Sequence, residues 1–301
     1  MDLFKALCET AGQENVFIDE PMNRHTTFRI GGPADYFVTA DQAEQVGRII
    51  KLCREENVPY YIIGNGSNLL VGDKGYRGVI IQIFKKMNKV RTEGERVYAQ
   101  AGALLSKTAS AALEASLTGL EFASGIPGTL GRALRMNAGA YGGEMKQVVE
   151  SARVLTPAGE TLDIPVSELG MSYRTSVIAR NDYVVLEAVL KLNRGRKEDI
   201  RARMDELKEK RVSKQPLEYG SAGSTFKRPE GYFAGKLIQD AGLRGFRVGD
   251  AQVSEKHCGF VINRGSATAS DVIQLMDQVR ARVKEKFGVD LEPEVKRIGE
   301  F

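Results

Sequence analysis

The sequence predicts an α+β protein, and three features carry that prediction: helical periodicity near both ends, a middle stretch of short β-branched and aromatic runs, and glycine-rich loops between them. A short amphipathic helix is expected from about Asp2 to Ala11, followed by two strands flanking the Gly31-Gly32-Pro33 turn. A helix over residues 42–56 gathers Ala43, Val46, Ile50 and Cys53 on one face. It leads into the apolar strand Tyr60-Tyr61-Ile62-Ile63 and then the loop Gly64-Asn65-Gly66-Ser67-Asn68. Residues 79–83, 97–101, 152–155 and 183–192 have the composition of strands, and the Ala-rich stretch 104–117 that of a helix. Pro157-Ala158-Gly159-Glu160 reads as a hairpin turn. Residues 197–211 alternate charge sign and predict a solvated, bridging helix. The clearest helix starts after Ser270, with Val272, Met276, Val279 and Val283 at helical spacing and Gly288 as its stop. A final strand is expected at Leu291-Glu292-Pro293-Glu294-Val295.

Composition narrows the function classes. At 301 residues the chain has room for roughly two domains, each with its own core. Hydrophobic residues make up 42% and charged residues 27%, and no run approaches the ~18 apolar residues of a membrane span. Met1-Asp2-Leu3-Phe4-Lys5 has neither a basic leader nor a long apolar run, so no secretion signal is expected. The three cysteines, Cys8, Cys53 and Cys258, are odd in number and widely spaced, which argues for a reducing compartment, the cytoplasm by default. The net charge of +4 is scattered rather than clustered, so neither nucleic acid nor membrane is an expected partner. The two histidines, His25 and His257, lie far apart, so no metal site is expected.

Two glycine loops are the strongest local features. Gly64-x-Gly66 follows a strand, as a Rossmann fingerprint would, but Leu69 stands where the third glycine belongs and no helix follows. The second loop is Gly125-Ile126-Pro127-Gly128-Thr129-Leu130-Gly131, followed by Asn137-Ala138-Gly139-Ala140-Tyr141-Gly142-Gly143. Glycines let backbone N–H groups converge on phosphate oxygens with no Cβ in the way. Spacing alone fits a pyrophosphate cradle and ordinary turns of a strand-rich region equally well.

Taken together, the motifs are similar to those of a known family. Ile63-Gly64-Asn65-Gly66-Ser67-Asn68-Leu69-Leu70 and Gly125-Ile126-Pro127-Gly128, then Met136-Asn137-Ala138-Gly139-Ala140, resemble the flavin loops of the UDP-N-acetylenolpyruvoylglucosamine reductases. Residues 24–32 resemble that family's opening strand. Tyr173-Arg174-Thr175-Ser176, Gly223-Ser224-Thr225-Phe226-Lys227 and Leu291-Glu292-Pro293-Glu294-Val295 resemble its three catalytic motifs in order, so the likeness spans essentially the whole chain. It implies an FAD-binding fold of the vanillyl-alcohol-oxidase type, two α+β subdomains, plus a C-terminal α+β substrate-binding domain. Expected boundaries are 1–68 and 69–196 for the FAD subdomains, the first joined by residues 291–301, and 197–290 for the substrate domain. The short stretch from Arg174 to Ser224 resembles the branch without a tyrosine-bearing insertion. Arg132, Arg135 and Arg228 depart from the residues usual at their positions.

The resemblance also implies chemistry: NADPH reduces non-covalent FAD, and the enolpyruvyl ether of UDP-N-acetylglucosamine enolpyruvate is then reduced to UDP-N-acetylmuramate. Hydride addition to an enol ether requires the charge on the neighbouring carbon to spread into the carboxylate, and that carbon needs a proton. Arg174 is the expected carboxylate anchor, since a guanidinium grips two oxygens at once. Ser224 is the expected proton donor, with Lys227 near it, and Glu294 the third catalytic residue, chosen over Glu292 because it fills the motif's second acidic position. Expected FAD contacts are Gly64, Asn65, Gly66, Ser67, Asn68, Leu69, Gly125, Ile126, Pro127, Gly128, Thr129, Asn137, Ala138 and Gly139. Expected substrate contacts are Tyr173, Lys227 and His257. A cytoplasmic monomer acting in peptidoglycan synthesis follows from the same resemblance, and with it roles in cell-wall biogenesis, cell shape, the cell cycle and cell division. Two rivals remain at this level, another FAD oxidase of the same fold and a non-catalytic nucleotide-binding protein, neither of which needs Arg174, Ser224 and Glu294 together.

Overall fold

Asp2 opens the first helix, its carboxylate accepting from the Phe4 N–H at 3.0 Å, and Leu3–Ala11 follows with Ala6, Leu7 and Ala11 buried. A computed structural model describes residues 2–301, which form two compact units. The first comprises the chain up to Phe17, Phe37–Asn65 and Ile80–Arg211; the second comprises Ile18–Tyr36, Gly66–Val79 and Val212–Phe301. These boundaries do not fall at 68/69 or 196/197. The chain passes from one unit to the other within the strands Pro33–Thr39 and Tyr76–Gln82.

The first unit is built on a five-stranded antiparallel sheet in the order Thr161–Pro165, Val149–Leu155, Val184–Lys191, Arg96–Gln100, Val90–Glu93. The 157–160 turn is the expected hairpin: Gly159 takes φ +90°, and Leu155 pairs with Thr161. Two short helices pack on this sheet, Leu105–Glu114 and Leu130–Arg135. Helix Ala43–Glu55 buries Val46, Ile49, Ile50 and Cys53, close to the face its periodicity marks. Burial pushes the Cys53 thiol up to about 11, as expected for an inert core cysteine.

The second unit gathers Phe28, Leu70, Phe226, Ile238, Val272, Met276, Val279, Val283 and Leu291 into one core. Its long helix Ala269–Phe287 is capped by Thr268 through a capping box with Asp271 and stops at left-handed Gly288. Asp73 accepts from the Ser270 hydroxyl at 2.7 Å and from the N–H groups of Ala269 and Ser270 at 2.6 and 2.9 Å; burial pushes its carboxyl up, and these bonds, the hydroxyl's first, outweigh that and lower it.

Two strand expectations are corrected. Residues 24–32 are not a strand: they follow a 3-10 turn at Met22–Arg24, and Arg29 (φ +57°) and Gly31 (φ +140°) leave the extended region. The C-terminal strand is Lys296–Ile298, parallel to Leu69–Val71, rather than residues 291–295. Pro293, which has no N–H for a ladder, instead makes an isolated bridge opposite Phe226.

Candidate functional site

In the first unit the two glycine loops meet. The Asn65 Nδ2 donates to the Pro127 carbonyl at 3.1 Å, and a Cβ built on Gly64 would lie 2.3 Å from the Thr129 Oγ1. Gly64 is therefore glycine because the second loop occupies the space of its side chain. Gly131 is close but less tight, with its Cβ position 3.0 Å from the Ala101 Cβ. The second loop is tied down by Leu105 N–H to the Gly128 carbonyl and Leu130 N–H to the Ala103 carbonyl, so helix Leu105–Glu114 and the loop fix each other. A cavity of about 410 Å³ opens beside this junction, lined by Gly64, Thr129, Gly131, Arg132 and the strand Tyr60–Ile63 among others.

That strand is apolar, yet Tyr60, Tyr61 and Ile62 are only half-buried, because one side of them faces the cavity. Sequence reasoning did not include them among the site residues. The signal was present, since an apolar strand delivering the chain into a glycine loop lines whatever that loop holds. Arg54, also on the cavity wall, donates to Tyr60 Oη at 3.2 Å and to the Pro157 carbonyl.

Arg135 has a structural task here. Its guanidinium bonds the Ile178 carbonyl at 3.2 Å and Asp182 at 2.8 Å, while its own carbonyl accepts from Ser176 Oγ at 2.8 Å. This clamp seats the turn that carries Tyr173 and Arg174 on the helix emerging from the second loop. Ser172 and Thr175 exchange both backbone hydrogen bonds, so Tyr173 and Arg174 form a two-residue tip with Arg174 at φ +56°. A left-handed arginine costs about 1–2 kcal/mol, strain that concentrates at functional positions. Tyr173 is exposed, with the Arg174 guanidinium carbon 5.3 Å from its ring centre.

The Asn137-Ala138-Gly139 segment folds back on itself. Asn137, at φ +45°, donates to Glu144 at 2.8 Å and accepts from the Lys146 N–H at 3.0 Å, so its carboxamide is used in holding the turn. Ala138 is buried, and a Cβ on Gly139 would sit 2.6 Å from the Gly143 carbonyl oxygen.

In the second unit, Gly66 takes φ +67°, and a Cβ there would approach the His25 carbonyl oxygen to 2.0 Å. The Asn68 Oδ1 is buried without a hydrogen-bond partner among the described residues, while its backbone carbonyl accepts from the Lys296 N–H at 3.1 Å. Leu69 is buried in the short strand that follows. A glycine cradle and an orphaned amide oxygen in one loop fit a ligand with both N–H donors and phosphate oxygens, as FAD has.

The same unit brings Ser224 and Glu294 together. The Glu294 N–H donates to the Thr225 carbonyl at 2.9 Å, and the Lys227 N–H donates to the Glu292 carbonyl at 2.8 Å, a two-rung antiparallel contact between the motifs. Thr225 is buried and bonded at three points, its N–H to Gly259, its Oγ1 to Val261 and its carbonyl to Glu294, which leaves adjacent Ser224 exposed on a rigid base. Glu294 is buried, whereas Glu292 is exposed and ion-paired with Lys227. The Lys227 ammonium is thus shared with a carboxylate.

His257 receives the Gly259 N–H on its Nδ1 at 3.0 Å, which puts the ring proton on Nε2. Burial lowers its pKa, and the nearby Lys214 charge acts in the same direction, so the ring is neutral at pH 7 and presents an N–H donor. Its ring meets Phe260 edge-on at 5.1 Å.

Relatives locate this geometry in a family. The profile described as "UDP-N-acetylenolpyruvoylglucosamine reductase, C-terminal domain" matches residues 215–298, and "FAD binding domain" matches residues 34–165. A UDP-N-acetylenolpyruvoylglucosamine reductase of Clostridium tetani is 54% identical over 99% of this chain and 97% of its own length. The chain belongs to the UDP-N-acetylenolpyruvoylglucosamine reductase family. The reductase of Agathobacter rectalis is also 54% identical, over 99% of this chain and 98% of its own. The crystal structure of the Thermus caldophilus reductase superposes with a TM-score of 0.80 at 36% identity, covering 94% of this chain and 98% of that one. p-Cresol methylhydroxylase, at 18% identity and a TM-score of 0.50 over 64% of this chain and 43% of its own, shares the fold alone. The flavin fold expected from the motifs is therefore present, with the family's C-terminal domain following it.

Gly64→Ala tests the loop junction. Gly64 needs no positive φ, so the alanine chiefly drives the two loops apart. FAD affinity is expected to fall about tenfold or more, roughly 1.4 kcal/mol, read by flavin released on dilution. Full retention would show that this junction is not a cofactor contact.

Proposed function

We infer that this chain is an FAD-dependent oxidoreductase that reduces UDP-N-acetylglucosamine enolpyruvate to UDP-N-acetylmuramate with NADPH. The observation that carries the reading is the backbone contact between the motifs that hold Ser224 and Glu294, in a chain whose other unit presents two joined glycine loops beside a cavity. A nucleotide-binding protein needs only the loops, and an alcohol oxidase of this fold has no use for these two motifs bonded to each other.

The cavity beside Gly64 and Thr129, with its Tyr and Ile wall, is the seat we assign to the adenosine half of FAD, and the loop residues 64–69, 125–129 and 137–139 to its contacts. Bound FAD supplies hydride transfer from NADPH to the terminal enolpyruvyl carbon. Arg174 grips the substrate carboxylate, into which charge from the neighbouring carbon spreads. Ser224 Oγ gives that carbon its proton. The buried Glu294 carboxyl stabilises the oxygen bearing the charge. Tyr173, Lys227 and the Nε2–H of His257 supply further polar contacts for the anionic sugar nucleotide.

The domain reading is that residues 1–68, joined by residues 291–301, and 69–196 form the two halves of the flavin fold and 197–290 the substrate domain. We place the enzyme in the cytoplasm as a monomer, in peptidoglycan precursor synthesis and hence in cell-wall biogenesis, cell shape, the cell cycle and division. Among the described residues no helix is long and apolar enough to cross a membrane.

Glu294→Gln and Glu292→Gln separate the two acids of one motif. The first is expected to slow substrate reduction by about 10²-fold, the lower range for a positioned acid, and the second by less than about tenfold, since Glu292 is exposed and bound to Lys227. Turnover of both variants with the sugar nucleotide decides between them. The reverse ranking would mean that the wrong carboxylate carries the chemistry.

A further inference from the structure

Thr27 is hydrogen-bonded to two different parts of the site. Its N–H donates to the Gly66 carbonyl at 3.3 Å, its carbonyl accepts from the Ser221 N–H at 3.1 Å, and its hydroxyl donates to the Ser221 carbonyl at 2.6 Å. Gly66 belongs to the first glycine loop, and Ser221 leads directly into the Gly223-Ser224-Thr225 motif. Ser221 ends the edge strand Gly220–Ser221, whose inner side pairs with Val261–Asn263, Ser221 opposite Ile262. An antiparallel neighbour on the outer side would offer Ser221 both a carbonyl and an N–H. Thr27 offers the carbonyl, but its N–H is given to Gly66, and the hydroxyl takes the place of that N–H at the Ser221 carbonyl.

Both sides of this link are closely packed. A Cβ on Gly66 would come within 2.0 Å of the His25 carbonyl oxygen and 2.8 Å of the Thr26 Cα, so the loop rests on the backbone just before Thr27. A Cβ on Gly220 would lie 2.8 Å from the Phe28 carbonyl oxygen, which also accepts from the buried Asn263 Nδ2 at 3.2 Å. Thr26, by contrast, spends its hydroxyl locally, on the Ile30 carbonyl at 3.1 Å. From Ser221 the chain reaches Ser224 through buried Ala222 and left-handed Gly223 (φ +76°), and Thr225 is fixed beyond it.

The chemistry needs such a link. Hydride from the flavin and the proton from Ser224 arrive at neighbouring carbons of one substrate, so the donor has to be registered against the cofactor as well as held rigid. We propose that Thr27 is a positioning residue that sets Ser224 against the flavin loop, its hydroxyl completing the connection that its N–H begins. The proposal rests on the function reading above. Thr27 acts through Ser221, not on the substrate.

The test uses the holoenzyme with Thr27→Val, which keeps the shape and the backbone bonds without the hydroxyl, and Thr27→Ser, which keeps the hydroxyl. Bleaching of the flavin by NADPH and its recolouring by saturating UDP-N-acetylglucosamine enolpyruvate are followed separately by stopped flow. In the valine variant recolouring should slow by about ten- to a hundredfold, the range that a misplacement of about 1 Å produces. Bleaching, and the affinity for FAD read by flavin fluorescence, should stay within about threefold of the parent, because neither needs the proton donor. Amide hydrogen exchange in the peptide carrying Ser221 should quicken about tenfold in the same variant, since that edge of the sheet has lost a tie. The serine variant should match the parent throughout. If the valine variant does not retain flavin, Thr27→Ala carries the same measurements with the same expectation. Loss of flavin from both would assign Thr27 to the cofactor loop alone and overturn the proposal. Equal slowing of both steps overturns it too, as do recolouring or Ser221 exchange at the parent's rate, or a serine variant as slow as the valine one. A parent that recolours while residue 27 changes nothing overturns only this proposal; a parent that the sugar nucleotide does not recolour overturns the function reading with it.

Discussion

Replacing Ser224 with alanine is expected to leave the reduction of bound flavin by NADPH near normal and to slow its reoxidation by the enolpyruvyl sugar nucleotide by about 10²- to 10⁴-fold. That range corresponds to about 3 to 5 kcal/mol of barrier. The two steps separate because hydride reaches the flavin before any substrate carbon needs a proton. Structural side effects should be small: Ser224 is exposed, and the three hydrogen bonds that fix this stretch belong to Thr225. Stopped-flow traces of the two half-reactions decide it. Equal slowing of both would make Ser224 a turn residue, and no slowing of either would send the proton to Glu294 or a held water.

Arg174→Lys is expected to cost about 10²- to 10³-fold in turnover at saturating substrate, the magnitude seen when one donor to a developing negative charge is removed. Lysine keeps the charge but replaces a planar fork by a point donor. It also inherits the left-handed backbone at the tip between Ser172 and Thr175, so the position of the charge, not the turn, is what changes. Steady-state kcat and KM for parent and variant make the comparison. A variant that turns over like the parent would remove Arg174 from the carboxylate.

How much of this was legible in the sequence depends on whether the determining interaction is local. Helix Ala269–Phe287 is announced by Val272, Met276, Val279, Val283 and Gly288, because periodicity and capping act within a few residues. Strand Tyr60–Ile63 and the 157–160 hairpin are readable for the same reason. Residues 24–32 were not, since Arg29 and Gly31 turn out of the extended region for reasons set by neighbours such as Val71, whose Cβ lies 2.8 Å from where a Gly31 Cβ would be. The shift of the last strand from 291–295 to Lys296–Ile298 has a like cause, because its partner Leu69–Val71 is more than 200 residues away in sequence. At the site, the glycines marked the loops. That Gly64 faces Thr129, that Asn137 spends its amide on its own turn, and that Arg135 clamps the Arg174 tip are facts of tertiary contact.

The central claim is that one chain couples NADPH oxidation to reduction of an enolpyruvyl ether through bound FAD. It is tested most directly by following flavin absorbance of the purified, air-free protein while NADPH and then UDP-N-acetylglucosamine enolpyruvate are added. The account predicts that the yellow protein bleaches with NADPH and regains its colour when the sugar nucleotide is added, one flavin per substrate reduced. A protein that bleaches but stays bleached with the sugar nucleotide and recolours only on admitting air would contradict it, and would mark the chain as an oxidase of the same fold.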